Sequence, residues 1–112
     1  MRRDAEQRIA DILEAVDRCQ RYVAVSVADG DAELAAMAKD AIERNLQIVG
    51  EAVNHLPHEI TELYPEIPWP QIRGFRNILV HQYFGVDVSV VQDVVEMHLP
   101  LLAEALRRHT TT

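Results

Sequence analysis

The stretch DAELAAMAKDAIERNLQIVGEAVNHL, residues 31–56, decides the fold. Its apolar residues fall at Leu34, Met37, Ala38, Ala41, Ile42, Val49, Ala52, Val53 and Leu56, the three-and-four spacing of a helix that buries one stripe. Pro57 stops that register, and residues 57–64 are expected to add a short extra turn or helix. Upstream, Ile9, Ile12, Leu13, Val16, Cys19 and Val23 repeat the pattern over residues 4–27, and Gly30 suits the left-handed residue just past a helix. Downstream, Pro65, Pro68 and Pro70 enforce an extended connector, after which Pro70 is placed to start a third helix that ends near Tyr83 or Phe84, closed by Gly85. A fourth helix, capped by Ser89 or Asp87, carries Val91, Val94, Val95, Leu99, Leu102 and Leu106 to about Arg108. Pro100 should bend it and the tail 109–112 should fray. No strand alternation appears. The pattern predicts an all-α, four-to-five-helix up-and-down bundle, one domain over residues 1–112.

The composition sets bounds on what such a bundle does. Hydrophobic residues at 48% and charged residues at 26% are a globular balance, and 112 residues can bury one real core. The single cysteine, Cys19, excludes an internal disulfide framework and fits a reducing compartment. No apolar run reaches the ~20 residues of a membrane span and no signal-peptide core is visible, so the expected location is the cytoplasm, with no membrane partner. A net charge of -7 argues against non-specific coating of nucleic acid, which calls for a basic surface. Any nucleic-acid role must be local.

One segment is set apart. Between Glu66 and Asp87 there is no acidic residue, although 18 acids in 112 residues would place about three in a stretch of that length. Inside it lie Arg73, Arg76 and His81. On a helical wheel Ile72, Phe75, Leu79 and Tyr83 form the core face, and Arg73, Arg76, Asn77 and His81 gather within about 140° beside it. Two guanidiniums, an amide, an imidazole and a phenol thus share one margin. A solvated polar margin with Tyr83 in the core is an equally good account of the wheel.

Arg76-Asn77-Ile78-Leu79-Val80-His81-Gln82-Tyr83 is an arginine, four residues, a histidine, one residue and a tyrosine. That run resembles the signature of HEPN domains, in particular the HepT-like toxins of bacterial and archaeal toxin–antitoxin pairs. Residues 41–52 resemble the family's second helix, Trp69-Pro70-Gln71-Ile72-Arg73-Gly74-Phe75 its lead-in to the motif, and Leu99-Pro100-Leu101-Leu102 its last helix. The likeness implies a metal-independent endoribonuclease with RNA as substrate and no cofactor. His81 would serve as general base on a ribose 2′-hydroxyl or as acid to the leaving oxygen, Arg76 would hold the phosphate, Asn77 would orient, and Arg73 would add a phosphate contact. It also implies a homodimer, within a larger hetero-oligomer where a partner joins. That partner is a cognate minimal nucleotidyltransferase antitoxin that switches the toxin off by transferring AMP to Tyr83.

Two rival readings stay open: a non-catalytic helical module that binds a nucleotide or the nucleotidyltransferase, and a purely structural dimerisation domain. Glu43 and Glu51, eight apart on the second helix with Asn45 and Gln47 near by, are candidates to line the cleft or to pair with Arg76, and a solvated face accounts for them equally well. Gly50, mid-helix, suggests close helix approach, since glycine there costs about 1 kcal/mol against alanine. His55, His58, Glu59 and Glu62 look superficially like metal ligands, but Pro57 breaks the helix that would align them, so no metal site is expected. His98 and Cys19 read as core residues, Cys19 as inert packing.

Overall fold

A computed structural model of the chain describes residues 2–28, 31–74 and 94–111. Helix α1 runs over Arg2–Ala28 and α2 over Ala32–Asn54. A single turn, α3, covers His58–Thr61, α4 covers Trp69–Arg73, and after a wide π-helical turn at Val94–His98 the final helix α5 spans Leu99–Thr111. Among the described residues there is no strand, so the all-α expectation holds.

The α2 boundaries follow from local chemistry. Asp31 is the N-cap, its side chain accepting from the Glu33 and Leu34 N–H groups at 3.0 and 3.2 Å, which satisfies two of the donors a helix start leaves unpaired. The helix closes at His55, two residues before Pro57: the His55 N–H donates to the Ala52 carbonyl and the Leu56 N–H to the Val53 carbonyl, each at 3.1 Å. Pro57 in turn sits extended at the N-cap of α3, with φ −62° and ψ 146°.

One core runs through every described element. Ile9, Ile12, Val16 and Cys19 of α1 meet Ile42, Leu46, Val49 and Val53 of α2, and Val95, Leu99, Leu102 and Leu106 close it from the last helix. Each side chain of that size, when buried, contributes roughly 1.5–3 kcal/mol. Leu46, which the reading of the α2 stripe passed over, is 2% exposed, whereas Met37, placed on it, is 64% exposed. At 100° per residue Met37 points about 140° from Ile42, so the apolar residue alone misled. Leu13 and Val23 are only half-buried at the edge.

Three other boundaries differ from expectation. Trp69, not Pro70, is the first residue of α4. Pro70 follows it, still among the first positions whose N–H would have no helical partner. The sequence pattern carries the third helix on to Tyr83, but α4 ends at Arg73 with Gly74 as its C-cap, the residue with the weakest hold on helix after proline. Residues 75–93 lie outside the described residues, and with them Gly85, Asp87, Ser89 and Val91; so does Gly30. The tail is not frayed: α5 continues to Thr111, the Thr110 hydroxyl donates to the Arg107 carbonyl at 3.0 Å, and His109 packs on Tyr64.

The expected effect of Pro100 takes the form of the π turn just before it. Proline has no N–H for the carbonyl four residues back, and its ring crowds that carbonyl, here Glu96. A wider turn across Glu96 relieves both problems without ending the helix. Among the described residues, no helix is long and apolar enough to cross a membrane.

Candidate functional site

The lead-in to the motif is held at several points. Trp69 is buried and its indole Nε1–H donates to the Tyr64 carbonyl at 3.0 Å, locking the connector's two ends together. The Trp69 N–H also reaches the Ile67 carbonyl at 2.8 Å. Tyr64 itself is gripped by the last helix: the His109 ring stands edge-on to it at 6.0 Å and the Arg108 guanidinium lies over its face at 5.9 Å. Arg108 further pairs with Glu66 at 3.6 Å. Ile72, fully buried, pins α4 to the core, and α4 packs on α2. Arg73, at the last turn of this anchored helix, is half-buried. Of the arginine, asparagine, histidine and tyrosine residues that the motif and its lead-in offer, it alone lies among the described residues. Arg76, Asn77, His81 and Tyr83 lie outside them.

On α2, Glu43 is 6% exposed, and among the described residues no donor reaches its Oε1. Burial pushes its carboxyl above the ordinary carboxylate range, and Asp40 pushes the same way while Lys39 pulls back. Asn45 is equally buried. Its amide donates to the Ala41 carbonyl at 2.8 Å, and its Oδ1 has no partner among the described residues. A buried polar group without a partner costs about 1–3 kcal/mol, so two on one helix are exceptions to the usual pairing. Gly50 is buried in the same helix. Cys19 is fully buried, with its Sγ–H toward the Ile42 carbonyl at 3.8 Å and its pKa pushed up to about 12 by burial. A thiol that cannot ionise near neutrality is inert, as its place on the stripe implied.

Glu51 is exposed and lines a groove of about 240 Å³ between α1 and α2. From α1 the groove takes Arg8 and Asp11, from α2 Arg44 and Gln47, with half-buried Ile48 and buried Ala52 as its apolar lining. Asp11 accepts from the Gln7 amide at 3.0 Å. Among the described residues neither Arg8 nor Arg44 has a carboxylate within ion-pairing distance, in contrast to Arg18 with Glu14 and Arg21 with Asp17. The reading of the sequence missed Arg8, Asp11 and Arg44. The signal was present: Arg44 and Glu51 are seven apart on α2, Arg8 and Asp11 three apart on α1, both pairs beside an apolar stripe. Only the pairing of the two helices brings the four together.

His55 and His58 are exposed on either side of Pro57, and among the described residues no three His, Cys, Asp or Glu side chains converge as metal ligands. His98 is half-buried rather than enclosed in the core, because it lies in the wide turn ahead of Pro100.

Comparison with known proteins adds what the geometry lacks. The family described as Ribonuclease HepT-like matches residues 12–109. A Thermococcus cleftensis protein named as a probable ribonuclease HepT is 33% identical over 102 residues, covering 91% of this chain and 92% of its own. A Methanocaldococcus jannaschii protein named as a gamma-glutamylcyclotransferase and proposed RNase is 35% identical over 106 residues, 95% of this chain but 47% of its own length. A second protein of that organism, named as a proposed RNase, is 35% identical over 99 residues, 88% of this chain and 81% of its own. The chain therefore spans just under half of one of these relatives and most of the other two. No solved structure matches.

Proposed function

This chain belongs to the HepT-like ribonuclease family, and on that footing we propose that it is an RNA-cleaving hydrolase, the toxin of a toxin–antitoxin pair. The observation that carries the reading is a family match over nearly the whole chain, together with the run Arg76-Asn77-Ile78-Leu79-Val80-His81-Gln82-Tyr83 inside it.

The proposed chemistry uses side chains alone. His81 takes the proton from a ribose 2′-hydroxyl, and that oxygen attacks the adjacent phosphorus. The 5′-oxygen leaves with a proton returned by the imidazolium, His81 then acting as the acid, and a 2′,3′-cyclic phosphate remains. An imidazole with a pKa near 6.5 serves as base or acid around neutrality. Arg76 stabilises the charge that gathers on the phosphoryl oxygens through its paired N–H donors. Asn77, four residues before His81, orients the imidazole or the substrate, and Arg73 adds a second phosphate contact from the end of α4. The anchoring of α4 through Trp69, Tyr64 and Ile72 supports this, because a phosphate contact needs a fixed backbone. Glu43 and Glu51 are proposed to border the cleft.

The active form is proposed as a homodimer with two motifs across a twofold axis, which doubles the local positive charge on a chain of net charge -7. Light scattering at micromolar concentration checks it, and a monomeric mass would sink it. Tyr83 is the proposed acceptor of AMP from a minimal nucleotidyltransferase antitoxin. The added charge and bulk would fill the phosphate site.

The decisive experiment compares variants for RNA cleavage, growth arrest and intact mass, with helical content as folding control. His81→Ala and Arg76→Ala are expected to lose roughly 10²–10⁴ in cleavage rate and all toxicity while staying folded. Tyr83→Phe should cleave normally but escape neutralisation. A chelator should leave cleavage intact. Full cleavage by His81→Ala would overturn the role given to His81, and no cleavage by the wild-type chain would replace the enzyme with a binding module.

A further inference from the structure

We infer that the groove between α1 and α2 is a nucleotide-binding subsite, in which Arg8 and Arg44 hold a phosphate and Asp11, Gln47 and Glu51 read the attached sugar or base. The groove is built from the two longest described helices, so its walls are among the most firmly held parts of the chain. Its two guanidiniums are unpaired among the described residues, although carboxylates share the groove with them. Arg18 and Arg21 on the same α1 are committed to Glu14 and Asp17 one turn away. Arg8 and Arg44 therefore offer donors to an incoming anion, and the planar fork of arginine fits two phosphoryl oxygens.

The acids decide which anion. Bare phosphate would meet Asp11 and Glu51 as repulsion with nothing in return. A nucleotide brings hydroxyl and amine donors that carboxylates and the Gln47 amide accept. Half-buried Ile48 gives the groove an apolar surface for a ring to lie on. A volume of about 240 Å³ takes one nucleotide unit with part of it in solvent. The phosphate comes either from a strand of RNA or from a free mononucleotide. The strand source rests on the ribonuclease reading and would make the groove a second grip on the substrate; the mononucleotide source does not.

Two probes on the full chain separate these. One is a fluorescein-labelled, 2′-O-methylated dodecamer, which offers no 2′-hydroxyl to cleave, titrated by anisotropy at several salt concentrations. The other is AMP, titrated by calorimetry. Arg8→Gln and Arg44→Gln are each expected to weaken the dodecamer by several-fold and to flatten its salt slope by roughly 0.7 per arginine. Arg18→Gln, whose partner is Glu14, should change neither. If AMP binding depends on both arginines and dodecamer binding does not, the inference stands with the free nucleotide as source. Unchanged binding of both probes in the double variant would overturn it, as would inorganic phosphate displacing AMP at equal concentration. Cleavage assays keep the two readings apart. Wild-type chain that cleaves RNA, with a double variant of unaltered KM and unaltered AMP affinity, leaves the ribonuclease standing and removes the groove. Arginine-dependent AMP binding by a chain that cleaves nothing does the reverse.

Discussion

Glu43 and Glu51 lie eight residues apart on α2, and their surroundings are opposite. Glu43 is buried, its Oε1 without a donor among the described residues and its carboxyl held above the ordinary range. Glu51 is exposed in a groove whose two guanidiniums are unpaired among the described residues. Eight residues advance a helix by 800°, or 80° of net rotation, enough to move from a flank sealed by packing to one that opens to solvent. Helical spacing places two residues near one another. What burial does to them depends on the elements alongside.

The packing of the Glu43 flank is most vulnerable at Leu46, three residues on from Glu43 and 2% exposed. Leu46→Ala is expected to cost about 2–5 kcal/mol, read as a fall in the urea midpoint, because the cavity removes contacts with both α1 and α2 neighbours. A loss under 1 kcal/mol would mean that the Glu43 flank is not packed as described.

A smaller effect of opposite sign is expected for Glu43→Gln. The folded state holds a proton on Glu43 more tightly than the unfolded state, whose carboxyl has its ordinary value of 4.5. Between that value and the raised folded one, the native chain binds more protons, so stability falls as pH rises through the window. Above the window the full penalty of a buried charge remains. Replacing it with a neutral amide should therefore raise the Tm and flatten the loss on raising pH above 4.5. A lower Tm at pH 7 would show that Glu43 has a partner worth more than its desolvation.

The smallest effect belongs to the other flank. Glu51→Gln should leave stability within about 0.5 kcal/mol, as exposed substitutions do. Its consequence should appear in ligand affinity, so a large change in thermal midpoint with no change in AMP binding would reverse the contrast between the flanks.

Much of this was legible in the order of the residues. Ile9, Ile12, Val16 and Cys19 on one helix, and Ile42, Val49 and Val53 on the next, repeat at helical spacing, and all are buried. Pro57 and Pro100 announced a break and a distortion, because a missing N–H acts wherever the chain goes. The candidate chemistry of Arg76, Asn77, His81 and Tyr83 was legible too, as residue types at a spacing, without geometry. Met37 and the tail at His109 were misread for one reason: hydropathy and chain position say nothing about what stands opposite. Met37 faces away from α1's stripe, and His109 is ordered by Tyr64, a residue 45 positions earlier.

The sequence by itself determined the helices, their buried stripes, the proline breaks and membership of a ribonuclease family, because these depend on local periodicity, backbone chemistry and residue identity. Tertiary structure alone decided that Glu43 is buried while Glu51 is not, that Trp69 and Tyr64 tie the connector to the last helix, and that Arg8 joins Arg44 across a groove. Each of these is a contact between residues distant along the chain. Its energy depends on desolvation and on partners that no local pattern encodes.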